Sequence, residues 1–419
     1  MEGTFKPIDK QRESFSKMRI LLLGEYSNVH ATLAKGLRAL GHEVTVVSNG
    51  DFWKNYPRDI DVARTPGKIG GIRLYLKILS LLPKLTGYDI VQLINPMFFE
   101  LRAERMFFFY HFLKKHNKHV VLGAFGMDYY WVKTCTFDKP LRYSDFNIGD
   151  RVRTDAPAVR EQRDWLGTTK ERLNKEIASS CDAIVTGLYE YDVCYRPVFP
   201  DKTKYIPFPI QIQNQDPLIQ NSKFKIQNYD YQVDTGSSDS GNQTSSPWGR
   251  LGGERQLKLF IGISKGRSAY KGTDIMLAAA KAVKEKYPDN LELRVAEGVP
   301  FDEYQRMING SDALMDQLYS YTPGMNALLA MSKGIIVIGG GEPENYEIIH
   351  EDKLRPIVNV QPTFDSVYYE LERLVLNPSI IPELKRQSIE YVRKHHDYIK
   401  VAKEYEQLYS GLLNFLSTL

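Results

Sequence analysis

Short apolar runs that close on glycine and pass into amphipathic helical patterns constrain this chain more than any other feature. The first is Met18-Arg19-Ile20-Leu21-Leu22-Leu23-Gly24. An unbroken run of this length is expected to be a strand buried on both faces, as in a parallel sheet. Asn28 to Leu40 then places Val29, Leu33, Leu37 and Leu40 at helical spacing and stops at Gly41, and Glu43 to Ser48 reads as the next strand. Parallel strands need such a crossover, so the unit is βαβ. Further strands are expected at Asp89 to Ile94, His119 to Gly123 and Asp182 to Thr186. The alternation restarts with Leu257 to Ile263, then Leu291 to Val295, Ala313 to Asp316 and Ile335 to Ile338, with helices such as Asp274 to Lys286 between them. Two α/β units, each a doubly wound parallel sheet, are the expectation.

At 419 residues the chain is longer than one hydrophobic core ordinarily serves, which fits two domains. Residues 1–17 are polar and read as a disordered tail, and residues 18–208 form the first domain. The prolines of Lys204-Tyr205-Ile206-Pro207-Phe208-Pro209-Ile210 exclude helix and central strand, so the chain is expected to cross to the second domain, 209–397, here. Within it, residues 227–253 are too polar to offset the entropy of ordering and read as a mobile surface excursion, with a lid over a cleft as the functional alternative. Ser366 to Leu376 and Ile381 to Leu416 carry helical patterns.

The bulk charge excludes little. A net charge of +4 gives no general affinity for nucleic acid. Cys135, Cys181 and Cys194 are odd in number and lack metal or disulfide spacing, which fits a reducing compartment. No secretory signal or membrane span is expected, so the protein reads as cytoplasmic, at most peripheral to the inner face of the membrane. Asp59-Ile60-Asp61 reads as a solvated turn. The histidine pairs His116/His119 and His395/His396 lack a third ligand, so no metal site is expected.

Between the strand Leu257 to Ile263 and the following helix lies Gly262-Ile263-Ser264-Lys265-Gly266-Arg267-Ser268-Ala269-Tyr270-Lys271-Gly272-Thr273-Asp274. Its glycines leave room for an anion, and Lys265, Arg267 and Lys271 supply charge, so a phosphate or diphosphate is a natural guest. A solvated basic turn is the structural alternative. The spacing is not that of a Walker loop, because Lys271 precedes its glycine.

Together with these two units, the Met-Arg-Ile-Leu-Leu-Leu-Gly opening, Lys271-Gly272, and the run from Gly324 to Gly334 resemble a GT-B glycosyltransferase, closest to the retaining family-4 type. The resemblance implies two facing Rossmann-like domains, an acceptor in the first and a nucleotide-sugar donor in the second, the donor being a substrate and no cofactor being needed. It also implies that residues 398–419 return as a helix to the first domain, with the bend near His395-His396-Asp397-Tyr398. By the same resemblance Arg267 and Lys271, with Lys265 a rival, clamp the donor diphosphate, and Gly324, Met325 and Asn326 turn backbone N–H groups toward it. Gly24 and Glu25 fall in the first cleft loop, with Glu25 toward acceptor or sugar.

The sequence departs from the family in two places. Tyr321 and Leu329 stand where the family carries a Glu pair for donor sugar and ribose, which leaves Glu342, Glu344 or Glu347 as replacements. In Leu122-Gly-Ala-Phe-Gly-Met-Asp128, Phe125 replaces a family His, while Asp128 is retained as a catalytic candidate or a helix cap. Tyr129, Tyr130 and Trp131 read as a sugar-stacking wall or as core.

Residues 73–119 hold eight Lys or Arg against three acids, interleaved with apolar residues. A basic amphipathic helix resting on anionic lipid is one reading. Core-facing stripes with snorkelling cations are the commoner one. The sequence thus points to a transferase moving a sugar from a nucleotide-sugar to a hydroxyl of a glycan or glycolipid in surface-polysaccharide assembly. A binding or partner subunit of the same fold, or a nucleotide-sugar epimerase, is the alternative.

Overall fold

The computed structural model describes residues 16–212, 256–264 and 266–415. The expected excursion at 227–253, most of the N-terminal tail and Lys265 lie outside the described residues.

The first domain runs β1 (Arg19–Leu23), α1 (Val29–Ala39), β2 (Glu43–Ser48), β3 (Ile60–Asp61), α2 (Gly67–Leu81), β4 (Ile90–Leu93), α3 (Ala103–His116), β5 (His119–Ala124), α4 (Tyr129–Lys133), the hairpin β6 (Asn147–Ile148) and β7 (Arg151–Val152), α5 (Ala156–Trp165), α6 (Thr169–Ser180), β8 (Ala183–Thr186), α7 (Tyr189–Tyr195) and β9 (Thr203–Tyr205). Its seven-stranded sheet has the order β3-β2-β1-β4-β5-β8-β9, with Ile20 in register with both Val44 and Ile90.

The second domain runs β10 (Leu257–Ile263), α8 (Ser268–Lys271), α9 (Thr273–Lys286), β11 (Leu291–Glu297), α10 (Phe301–Ile308), β12 (Ala313–Met315), α11 (Met325–Ser332), β13 (Ile336–Gly339), α12 (Pro343–Ile348), β14 (Val358–Asn359), α13 (Phe364–Leu376) and α14 (Ile381–His395), and α15 (Tyr398–Phe415) closes the chain. Its sheet has the order β11-β10-β12-β13-β14.

Each sheet is apolar on both faces. Leu21 and Leu23 pack with Leu74, Ile78 and Met106 of α2 and α3. Ile20 and Leu22 pack with Leu33 of α1 and Val401 and Tyr405 of α15. Each such side chain contributes about 1.5–3 kcal/mol of burial. In both sheets the strand order reverses beside the first strand of the domain, the place where open α/β sheets leave a crevice at the strand C-termini.

The main difference from expectation lies at the sheet edges. Ile60–Asp61 is a short edge strand beside β2 and not a turn, and β9 reaches Tyr205 before the prolines begin. Two or three edge residues are too few to show a period. Beyond β9, Ile210 N–H donates to the His396 carbonyl (2.6 Å) and Tyr398 N–H to the Ile210 carbonyl (3.1 Å), so the two interdomain crossings run side by side. The chain bends there, and α15 lies on α1, with Tyr409 Oη donating to Gln92 Oε1 (2.6 Å) and His42 beside Glu406 (2.9 Å).

Candidate active site

The loop after β10 leads into the short helix α8, which carries Lys271 at its end. Gly272 follows at φ +73°, and a Cβ there would lie 2.8 Å from Leu318, so glycine is needed to bring the chain so close. Leu318 N–H donates to the Lys271 carbonyl (3.0 Å) and fixes the turn. Burial lowers the Lys271 pKa, and the Asp316 carboxylate opposes the shift. Asp316 is itself raised by burial and is held by the Lys271 charge and the Asn326 side chain. Asn326 also donates to Tyr304 Oη (3.0 Å), and the Tyr304 ring fills the space beside Gly262. Asp316 thus ties the basic loop to the start of α11. It was missed in the sequence because it reads as the polar end of β12.

Arg267 and Lys271 line an interdomain cavity of about 270 Å³ with Gly126, Asp145, Glu190 and Tyr319. Beside it, Gly324 begins α11 with no side-chain cap and no acid in the first turn, which leaves helix-start N–H groups for an anion. Met325, Asn326 and Leu329 line a second interdomain cavity of about 360 Å³, opposite Ser27, Asn28 and Lys54. A third, of about 1110 Å³, lies in the first domain along Gly24, Glu25, Tyr26, Phe98 and Trp165. Met127 lines both this large cavity and the one at Lys271, so the two adjoin.

Gly24 has φ +84°, and a Cβ there would lie 2.2 Å from Ile94. Its carbonyl pairs with His30 Nδ1 (2.9 Å). Glu25 reaches the cavity wall, yet its carboxylate also accepts from His30 N–H (3.3 Å) and Ala31 N–H (2.8 Å) at the start of α1. Burial pushes its pKa up to about 8 against these hydrogen bonds.

Of the two roles the sequence offers Asp128, the structure displays the helix cap. It caps α4, accepting from Trp131 N–H (2.9 Å) on one oxygen and Tyr195 Oη (2.8 Å) on the other. It is fully buried, and burial raises its pKa to about 7. The geometry is that of the cap, with both oxygens holding hydrogen bonds within the first domain. Tyr129, Tyr130 and Trp131 are likewise buried as core, and of the three Trp131 lies on an Arg267 cavity wall. Phe125, in place of the family His, packs against Phe208 (5.4 Å) and the edge of His30 (6.3 Å).

Two of the three carboxylates offered for the ribose hold Arg142. Glu342 accepts from Arg142 Nη2 (2.7 Å), from Gln361 Nε2 (2.6 Å) and from Tyr143 Oη. Glu344 takes the other side of Arg142, and Glu347 is exposed. Tyr321 Oη accepts from Arg142 N–H (2.7 Å), and its ring lies against Tyr143 and Tyr189. Glu342 and Tyr321 are therefore parts of an interdomain joint.

Two further residues of that joint carry no sequence signal. Glu190 accepts from Ser320 Oγ (2.8 Å), Tyr321 N–H (2.6 Å), Thr322 N–H (3.0 Å) and Thr322 Oγ1. Arg153 donates to the carbonyls of Ala269 (3.0 Å) and Tyr270 (3.2 Å) and lies 3.7 Å over the Tyr319 ring.

No protein-family model matches the sequence, and no curated protein resembles it. The fold does have solved counterparts. Sucrose-phosphate synthase from Thermosynechococcus elongatus superposes with a TM-score of 0.57 at 13% identity, covering 95% of this chain and all of that one. Anabaena HepE, solved with UDP and glucose, gives 0.53 at 12% identity, covering 96% of this chain and all of its own. A candidate UDP-N-acetylglucosamine 2-epimerase from Listeria monocytogenes gives 0.50 at 11% identity, covering 93% of this chain and 94% of that one. The fold of this chain is GT-B: two Rossmann-like domains facing a cleft.

Proposed function

We propose that this protein is a glycosyltransferase that moves a sugar from a nucleotide-sugar to a hydroxyl of a glycan or glycolipid, with retention, without a metal, and in surface-polysaccharide assembly at the cytoplasmic side. The observation that carries the reading is the placement of Lys271 and Arg267, beside the uncapped start of α11, across the cleft from the large first-domain cavity. As the anomeric carbon–oxygen bond breaks, the leaving nucleoside diphosphate gains charge. Cations and N–H groups aimed at it stabilise the transition state more than the ground state. The first-domain cavity is wide enough for a sugar unit of the acceptor, and Glu25 on its wall holds a proton near neutral pH.

A thermal-shift panel of nucleoside diphosphates and their sugar conjugates tests the reading, because a ligand selective for the native state raises its stability. UDP and UDP-sugars come first, given the UDP and glucose bound to HepE. A panel with no stabilising nucleotide would overturn the proposal.

A second reading is a nucleotide-sugar binding subunit of weak activity. It is favoured by Asp128 serving as a cap and by Tyr321 and Leu329 standing where carboxylates are expected. The epimerase neighbour keeps a third chemistry open on the same fold. Release of free nucleoside diphosphate from a sugar conjugate marks transfer or hydrolysis. Binding without release marks the subunit, and interconversion of the sugar marks the epimerase.

A further inference from the structure

Helix α2 is apolar on two opposite sides. Gly70, Leu74 and Ile78 form the side buried toward the sheet. Ile69, Ile72 and Leu76, at spacings of three and four, form a second stripe and are 67%, 54% and 59% exposed. A surface helix ordinarily turns polar residues to solvent opposite its core face. Here the centre of the outward face is aliphatic.

The charges around that stripe say what it fits. From Gly67 to Leu81 the helix carries Lys68, Arg73 and Lys77 and no acid, and all three cations are exposed. With about 3.6 residues per turn, Lys68 falls on one flank of the stripe and Arg73 and Lys77 on the other. An aliphatic strip bordered on both sides by cations matches the boundary between acyl chains and anionic headgroups, where long basic side chains reach back to phosphates.

We propose that this face of α2 docks on an anionic lipid bilayer. A second copy of the chain is a poorer occupant, because a two-fold contact of the same face would set these cations against their own copies. The placement also serves the site. Arg64, just before α2, and Phe52, 63% exposed, both line the 1110 Å³ cavity, so a chain lying on α2 holds that cavity beside the lipid surface. The docking face stands independently of the transferase reading.

The test is flotation of the full chain with vesicles of phosphatidylcholine alone and of phosphatidylcholine mixed with phosphatidylglycerol. The expected result is binding to the mixed vesicles that weakens with added salt. Ile72→Asp with Leu76→Asp is expected to lower the bound fraction about tenfold or more. Lys68→Gln with Arg73→Gln and Lys77→Gln is expected to lower it on the mixed vesicles as well. Because these side chains are exposed, the variants should melt like the parent chain, which separates lost docking from lost folding. Failure of the parent chain to bind either vesicle would overturn the proposal, as would a dimer dispersed by Ile72→Asp without vesicle binding. A chain that binds vesicles but no nucleotide would keep this surface and sink the transferase reading.

Discussion

Arg142 reaches from the first domain to Glu344 on the second, its two terminal nitrogens 2.5 and 3.1 Å from the carboxylate oxygens. The same guanidinium serves Glu342 and lies over the Tyr321 ring at 4.9 Å. Bidentate geometry of this kind fixes relative orientation as well as energy. Glu342 is 3% exposed, so loss of its cation leaves a buried charge with neutral donors alone. Arg142→Ala is expected to cost about 1–3 kcal/mol, toward the low end because the arginine itself is half exposed. Arg142→Lys should recover part of it. Urea midpoints check the order, and small-angle scattering should show the variant more extended.

Glu25 sets a pH dependence whose sign follows from its burial. Its pKa is raised to about 8, whereas the unfolded chain gives it up near the ordinary value of about 4.3. Between these values the folded chain holds a proton that the unfolded chain has lost, so stability falls as pH rises through the window. Asp128, raised to about 7, acts in the same sense. Glu25→Gln removes one contribution. Its denaturation midpoint is expected to gain on the parent as pH goes from about 5 to about 8, and parallel curves across that range would contradict the assignment.

Asp128 is expected to behave as a cap. Asp128→Ala removes the acceptor for Trp131 N–H and for Tyr195 Oη and should cost about 1–2 kcal/mol. Asp128→Asn keeps one carbonyl oxygen for Trp131 N–H and should cost less. With turnover and stability measured on both, a cap makes the two fall together. A folded, stable Asp128→Asn with no turnover would restore a direct role in the chemistry.

Lys271 carries the donor prediction. Lys271→Ala is expected to weaken nucleoside diphosphate binding by about 1.5–3 kcal/mol, the range of a charge-assisted contact. Folding should survive at some cost in stability, because the burial opposing the lysine's charge is relieved while the buried Asp316 loses its cation. Calorimetric titration of both proteins decides it, and equal affinities would remove Lys271 from the site.

Legibility in the sequence followed burial. The central strands were readable because β1, β5, β10 and β13 are short apolar runs enclosed on both faces, and their positions agree closely with the expected ones. The edge strands were not, since β3 and β14 have two residues each. In the cleft, Lys271 and the α11 start were legible because glycine marks close backbone approach. Glu190, Arg142 and Arg153 were not, because their partners on the second domain lie more than a hundred residues away and no local spacing encodes such pairs. Asp128 reads identically as cap or catalyst until Tyr195 is seen on its second oxygen. Helix α2 shows two apolar stripes in sequence, and which one the sheet covers is a tertiary fact.

Two glycines test how α15 is held. Gly36 of α1 faces it, and a Cβ at that position would lie 2.4 Å from the Tyr398 carbonyl oxygen and 2.7 Å from Ala402 Cβ. The oxygen is backbone and Ala402 has no rotamer to yield, so Gly36→Ala must push the two helices apart. The expected cost is about 1–3 kcal/mol, as for overpacking elsewhere. The shift would also strain the hydrogen bond from Tyr409 to Gln92, which joins the same helix to the sheet. Gly411, later in α15, meets nothing within 4 Å and has no positive φ, so Gly411→Ala should stabilise by about 0.5–1 kcal/mol through helix propensity alone. Denaturation midpoints should therefore move in opposite directions, with faster amide exchange along α15 in Gly36→Ala. A neutral Gly36→Ala would mean that α15 is not seated on α1 in solution.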